Sequence, residues 1–205
     1  VAVLPVPDPV AQLPPREEGS SEGISLRVRL ANLIAVIVPF CGLVAAIVLL
    51  WGWGFHWVDL GLLLGMYVLT VLGITVGFHR LFTHRAFETY PSVEFVLAVL
   101  GSMAAQGPLL RWVALHRRHH QHSDQPGDPH SPRAQGGGVL GLLRGLAHAH
   151  LGWIFLPHPP NLDHYVKDLR RSRLLRLVSM LFPVWVAAGL VIPALLGGLL
   201  TGTWP

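Results

Sequence analysis

Three histidines in the segment LHRRHHQHSDQPGDPHSP (residues 115–132), His116, His119 and His120, stand at spacing i, i+3, i+4. On an α-helix, which turns every ~3.6 residues, these positions share one face. Their imidazoles then present three neutral nitrogen donors to one small volume, which suits a transition metal such as iron or zinc. The competing account is a solvated basic loop that is His-rich by composition, but His-rich tracts are good metal candidates. A second pair, His79 and His84, lies upstream in GFHRLFTHRAFE (77–88). Five residues separate them, about 140° round an ideal helix. They share one ion only if the helix ends between them; otherwise each faces a different ion. Five imidazoles exceed what one zinc or iron usually takes from protein, so the economical inference is two metal ions.

Arg80, Arg85, Arg117 and Arg118 flank these histidines. A free imidazole with a pKa of about 6.5 is mostly neutral at pH 7, and nearby positive charge keeps it so, leaving its nitrogens for metal. An all-nitrogen iron site with open positions binds and activates O₂. Carboxylate-bridged di-iron bundles use Glu and Glu-x-x-His instead, and this chain shows no such motif. Zinc would satisfy fewer of the histidines and has no redox chemistry. The implied reaction class is O₂-dependent oxidation of an unactivated C–H bond. The metal carries the hard step and the protein positions the chain.

The elements that must position these residues are apolar. The chain has 205 residues, 52% hydrophobic and 13% charged, against about 25% charged in soluble domains, and its mean hydropathy is +0.51. The net charge of +4 and pI near 10 are compatible with nucleic acid, but the hydropathy makes a membrane the expected partner. The single cysteine, Cys41, excludes an intramolecular disulfide and a Cys-rich metal site. The predicted fold is all-α: a multi-pass membrane helical protein with a cytoplasmic histidine-rich di-iron region.

Residues 1–29, Pro-rich near their start, read as a disordered leader without the layout of a cleaved signal peptide. Residues 30–205 form one domain. A bilayer core needs about 20 apolar residues per helix, and spans are predicted at about 33–51, 60–78 and 178–200. Pro39 is placed to kink the first. Trp51, Trp53 and Trp57 fall in a short connection, as expected of an interfacial aromatic belt. The stretch 92–110 is short for a crossing and reads as a half-inserted helical hairpin with Gln106 toward protein. Residues 123–138 are a loop, and 139–156 lie along the interface. Residues 162–176 form a polar, basic helix. The connection 52–57 and the segment 201–205 contain no Lys or Arg, so all 15 basic residues fall on the opposite side. The positive-inside rule makes that side cytoplasmic, with the N-terminus and both histidine clusters. The Leu-, Gly-, Ala- and Arg-rich composition associates with a bacterium of GC-rich genome, so the expected location is a bacterial cell membrane.

GFHRLFTHR, then LHRRHHQHSDQPGDPHSP, then HLGWIF closely resemble the first and second histidine boxes and the His-x-Gly-Trp segment of membrane acyl-CoA (stearoyl-CoA type) fatty acid desaturases. The resemblance covers roughly residues 60–205. It implies a non-haem di-iron centre that uses O₂ and two electrons to place a cis double bond in a fatty acyl-CoA or lipid-linked acyl chain. The external electron donor would be of ferredoxin, cytochrome b5 or flavoprotein reductase type. By motif position, the resemblance makes His79, His84, His116, His119 and His120 iron ligands. Gln106, Trp112 and Trp153 match positions near the acyl chain, and Arg117 and Arg118 positions that meet the carrier's phosphates. Trp112 and Trp153 also fit interfacial anchors, and the two arginines a pair facing lipid phosphates. His130, in the matched Asp-Pro-His loop, is expected to hydrogen-bond to the ligands, with His122, His148 and His150 as further candidates.

The family carries a third HxxHH box and a further ligand segment, neither of which occurs here. The expectation is therefore an incomplete, inactive N-terminal part of a desaturase, with a second HxxHH motif within ~150 residues after Pro205. Leu156-Pro157 stands where related enzymes often carry basic residues before the His-Pro dipeptide. That leaves a carrier other than CoA open. The alternatives are a His-rich di-iron hydroxylase or ketolase acting on another lipid, and a non-catalytic membrane metal-binding protein. A transporter would place ionisable residues within its spans, and here the histidines stand at the ends of the apolar runs.

Overall fold

A computed structural model of the chain describes residues 24–53, 56–123, 128, 138–156 and 161–202. Among these residues all regular secondary structure is helical and no strand occurs, as the long charge-free runs predict. The α-helices are α1 (Leu26–Trp53), α2 (Trp57–Leu72), α3 (Pro91–Met103), α4 (Leu109–Gln121), α5 (Gly138–His150), α6 (Arg173–Met180) and α7 (Phe182–Thr201). Short 3₁₀ turns occupy Gly152–Phe155, Leu162–Val166 and Leu169–Arg171. Among the described residues, three helical rods are long and apolar enough to cross a membrane: Leu26–Leu49, Trp57–Thr83 and Phe182–Thr201.

The second rod changes winding part-way. α2 continues without a break into a π-helix over Gly73–Thr83. Hydroxyls within the apolar rod bond back to it: Thr70 Oγ1 donates to Met66 O at 2.8 Å and Thr75 Oγ1 to Val71 O at 2.7 Å. Each hydroxyl is thereby satisfied where lipid offers no partner.

Helix α3 packs against the π-helix, α2, α6 and α7. The approach is close because glycines face each other across it. A Cβ on Gly73 would lie 2.2 Å from Gly101 N, and one on Gly101 would meet the Phe78 ring at 2.4 Å. Small residues let helix backbones come together where no hydrophobic force does so. Phe78, Leu81 and Phe82 from the π-helix, Ala98 from α3, and Leu109, Val113 and Ala114 from α4 then share one core with Val166, Leu169, Leu175 and Val178. This core lies directly beneath the histidines.

Several boundaries differ from those read in the sequence. Residues 92–110 do not form a hairpin: α3 is a single rod ending at Met103, and a turn with Ala105 and Gly107 at positive φ (57° and 111°) leads into α4. The stretch is short because α3 packs among neighbouring helices rather than spanning alone. Gln106 in that turn is exposed, not turned into the protein. Residues 162–176 are two 3₁₀ turns followed by the start of α6, because Ser172 caps a new helix by accepting from Leu175 N at 3.3 Å. The third rod starts at Phe182 after a break at Leu181, with Pro183 in its first turn. α1 begins within the expected leader and runs through Trp53, so Trp51 and Trp53 are helical rather than in a connection.

Candidate metal centre

The end of the π-helix solves the spacing problem posed by His79 and His84. In a π-helix, hydrogen bonds join residues five apart, so residues at i and i+5 come to one face. Thr83 is the last π-helical residue, and His84 N donates to His79 O at 3.1 Å. The two rings meet edge to face with centroids 4.6 Å apart, and their Nε2 atoms are separated by 3.1 Å. Arg85 follows at φ 50°, the left-handed conformation that glycine usually supplies at helix ends. Arg85 N donates to Leu81 O and Ala86 N to Arg80 O, closing the helix.

Helix α4 supplies the second pair. Pro108 precedes its first turn, and the partly buried first-turn donor at Leu110 N is satisfied by Ser179 Oγ of α6 at 3.2 Å. The face bearing Leu109 and Val113 is buried, and the next turns carry the imidazoles. His116 and His120 bring their Nε2 atoms to 3.1 Å. All four histidines, His79, His84, His116 and His120, offer one nitrogen each within 4.8 Å of one another. His79 and His116 are half-buried; His84 and His120 are exposed, so the group is open on one side.

These distances fit a metal. Two nitrogens each ~2.1 Å from one ion sit roughly 3.0–3.4 Å apart across angles from octahedral to tetrahedral. Two facing Nε2 atoms at 3.1 Å otherwise have a single proton to share between them. Burial and the charges that His120, His79, His119 and His84 would carry push His116 down from 6.5 to about 3. Burial and the neighbouring His84, His119 and His79 also lower His120. Both rings are thus held neutral, with lone pairs available for a cation.

His119 stands outside this four-nitrogen group. Its ring centroid is 5.9 Å from that of His116 and 5.6 Å from that of His120. Its Nδ1 lies 2.9 Å from Asp128 Oδ1. Metal-bound histidines usually make such a carboxylate contact, which fixes the ring and places its lone pair on Nε2. The sequence reading assigned Asp128 no role, although it opens the Asp-Pro-His loop.

Trp112 stacks on His116 with centroids 4.6 Å apart and 23° between planes. Its Nε1 donates to Gln106 Oε1 at 3.2 Å, and its ring meets Phe78 edge-on at 5.5 Å. Gln106 and Trp112 therefore sit beside the four-histidine group. Trp153 lies on the 3₁₀ turn packed against α5 and α1. His130 lies outside the described residues. His122 and His150 direct Nδ1 to carbonyls of the preceding turn, Arg118 O at 3.1 Å and Leu146 O at 2.8 Å, and so are tied up locally. His148 packs against Gly152.

Arg117 departs from its expected role against a carrier phosphate. Nε donates to Thr83 O (3.2 Å), Nη1 to Tyr165 O (2.6 Å) and Asp168 Oδ1 (2.8 Å), and Nη2 to Phe82 O (2.5 Å) and Asp168 Oδ2 (3.1 Å). A guanidinium has five N–H donors, and these acceptors engage all of them. Arg118, half-buried on α4, is not part of this arrangement. Burial works to raise the Asp168 pKa, but hydrogen bonds from Arg117 and Arg85 prevail and hold it down to about 2. No local motif marks Asp168; the available signal is that it is one of two acids in a basic tract, flanked by Lys167 and Arg170.

Residues 55–205 match the family model described as Fatty acid desaturase. The chain is 46% identical over 84% of its length to a hex-5-enoyl-[acyl-carrier protein] acetylenase of Moorena producens, covering 54% of that protein. It is 34% identical over 74% of its length to an sn-1 stearoyl-lipid 9-desaturase of Synechocystis, covering 44%. To an acyl-CoA Delta(11) desaturase of Choristoneura rosaceana it is 30% identical over 57% of its length, covering 32%. The chain thus spans about half the length of the first two relatives.

Proposed function

The chain belongs to the fatty acid desaturase family, and on that footing we propose that it forms the histidine-rich part of an oxidoreductase that unsaturates a fatty acyl chain. The balanced reaction is R–CH₂–CH₂–R′ + O₂ + 2e⁻ + 2H⁺ → R–CH=CH–R′ + 2H₂O. The observation that carries the proposal is the convergence of four imidazole nitrogens from two helices at the end of an apolar, membrane-length rod.

Iron, when bound, supplies the activation of O₂ and the removal of hydrogen. His79, His84, His116 and His120 are the residues to hold the first ion, and His119, oriented by Asp128, belongs to the second ion of a di-iron pair. The rest of the chain's work is positioning. Trp112, fixed by Gln106 and stacked on His116, forms an apolar wall against which a methylene chain lies; Trp153, on the turn packed against α5 and α1, enters only through its match to the family motif. The open side at His84 and His120 admits the chain.

The acyl group's carrier is lipid, CoA or acyl carrier protein, as among the relatives. Because Arg117 is saturated, the cations for a carrier phosphate come from the exposed Lys167, Arg171, Arg173 and Arg176. By the positive-inside rule these residues and the histidines face the cytoplasm. Electrons arrive from an external carrier of ferredoxin, cytochrome b5 or flavoprotein type.

A second reading has specific support. The identity to the acetylenase, 46%, exceeds the 34% and 30% to the two desaturases described above. The same chemistry applied to an existing double bond yields an alkyne. Incubation of the complete, membrane-embedded protein with iron, O₂, reductant and saturated or 5-enoyl acyl substrates, followed by mass spectrometry, separates the cases. Alkene from the saturated chain supports desaturation, and alkyne from the enoyl chain supports the second reading. Alcohol as the main product overturns both in favour of hydroxylation.

A further inference from the structure

Two His–Arg dipeptides, His84-Arg85 and His116-Arg117, behave alike although they lie on different elements. In each, the imidazole joins the four-nitrogen group while the following guanidinium reaches the same carboxylate, that of Asp168. Asp168 comes from neither histidine segment. It sits between the 3₁₀ turns Leu162–Val166 and Leu169–Arg171, anchored on either side by the buried Val166 and Leu169.

Arg117 does more than meet the acid. Its Nε and Nη2 take the carbonyls of Thr83 and Phe82, the last two residues of the π-helix. The final carbonyls of a helix lack partners within it, so Arg117 caps the π-helix from the neighbouring helix. Its Nη1 bonds Tyr165 O, and the Tyr165 hydroxyl donates to Gln121 Oε1 at the end of α4, at 2.8 Å. One salt-bridged node therefore fixes the backbone next to His84, the helix bearing His116 and His120, and the strained residue Arg85.

We propose that Asp168 is a positioning residue of the metal centre: by drawing Arg85 and Arg117 together it sets the distance between the His79/His84 pair and the His116/His120 pair. It touches no imidazole and acts through the two arginines. The inference rests on the reading that the four histidines hold a metal, and its test keeps the two apart.

The probe is Co²⁺ added to the metal-free, full-length membrane protein, followed by its visible d–d absorption and by competition with a chelator. Wild type binds if the four-histidine reading holds; absence of binding there overturns that reading and leaves nothing for Asp168 to position. Given wild-type binding, Asp168→Asn keeps the shape but loses the charge. Its expected Co²⁺ affinity is on the order of tenfold weaker, the scale seen when ligand-orienting partners are removed, with an altered band shape from changed ligand angles. Asp168→Glu restores the charge and recovers most of the affinity. Asp163→Asn, which removes the exposed partner of Arg170 in the same region, leaves both readouts unchanged. Wild-type affinity and spectrum in a folded Asp168→Asn protein overturn the proposal. If Asp168→Asn does not fold, Arg85→Gln, which removes one of the two arms, takes its place with the same criteria.

Discussion

Trp112 covers one face of His116, and burial together with the surrounding imidazoles keeps that ring neutral down to about pH 3. Two expectations follow for single residues. In the metal-free protein, the unfolded chain takes up a proton at His116 near pH 6.5 while the folded chain does not. Stability from this residue is therefore complete above pH 6.5 and declines as pH falls toward 3. The thermal midpoint of metal-free protein in detergent should drop between pH 7 and pH 5, and His116→Gln should reduce that drop. Asp128 offers a second check. Its contact with His119 orients the ring, so Asp128→Ala should weaken iron affinity, measured by competition with a chelator, by ~10- to 100-fold. The effect should appear in one of two iron equivalents, measured by metal analysis, while the helical circular dichroism stays the same.

At the scale of elements, the close approach of the π-helix to α3 is the feature most sensitive to one carbon atom. Gly73→Ala places a Cβ against the Gly101 backbone, which cannot rotate away. Overpacking of this kind costs about 1–3 kcal/mol or more, and the expected result is a lower thermal midpoint with weakened metal binding. Gly61→Ala, where a Cβ meets nothing within 4 Å, should leave both unchanged. The contrast also shows what a linear reading can see. The spacing of His116 and His120 on α4 was legible because α-helical periodicity alone brings i and i+4 together. His79 and His84 were legible as a pair but not as neighbours, because 3.6-residue winding separates them and nothing local announces a π-helix. Gln106 was misplaced because its exposure depends on the left-handed turn at Ala105 and Gly107. The node at Asp168 was invisible for a different reason. Its partners lie 83 and 51 residues away, a separation across which sequence pattern carries no signal, and the same arginines were free to be assigned to a phosphate.

At the scale of the molecule, α1 stands apart from the core that supports the histidines. Its candidate membrane-spanning window has no buried residues. It meets the rest chiefly at Gly152–Phe155, where Asn32 Nδ2 donates to Ile154 O at 2.6 Å. The metal group should therefore tolerate its removal. A variant lacking residues 26–53, reconstituted in lipid, is expected to hold Co²⁺ within about twofold of the intact chain, since distant and unshared contacts act additively. A much larger loss would tie α1 to the centre after all. The position of Asp168 along the chain has one more consequence, for the order of events during synthesis. A ribosome adding ~5–20 residues per second releases both histidine segments seconds before the acid that draws their arginines together. Nascent chains paused in that interval would present loose imidazoles to any available divalent ion, so correct loading of the proposed metal centre belongs to the period after translation has passed this point.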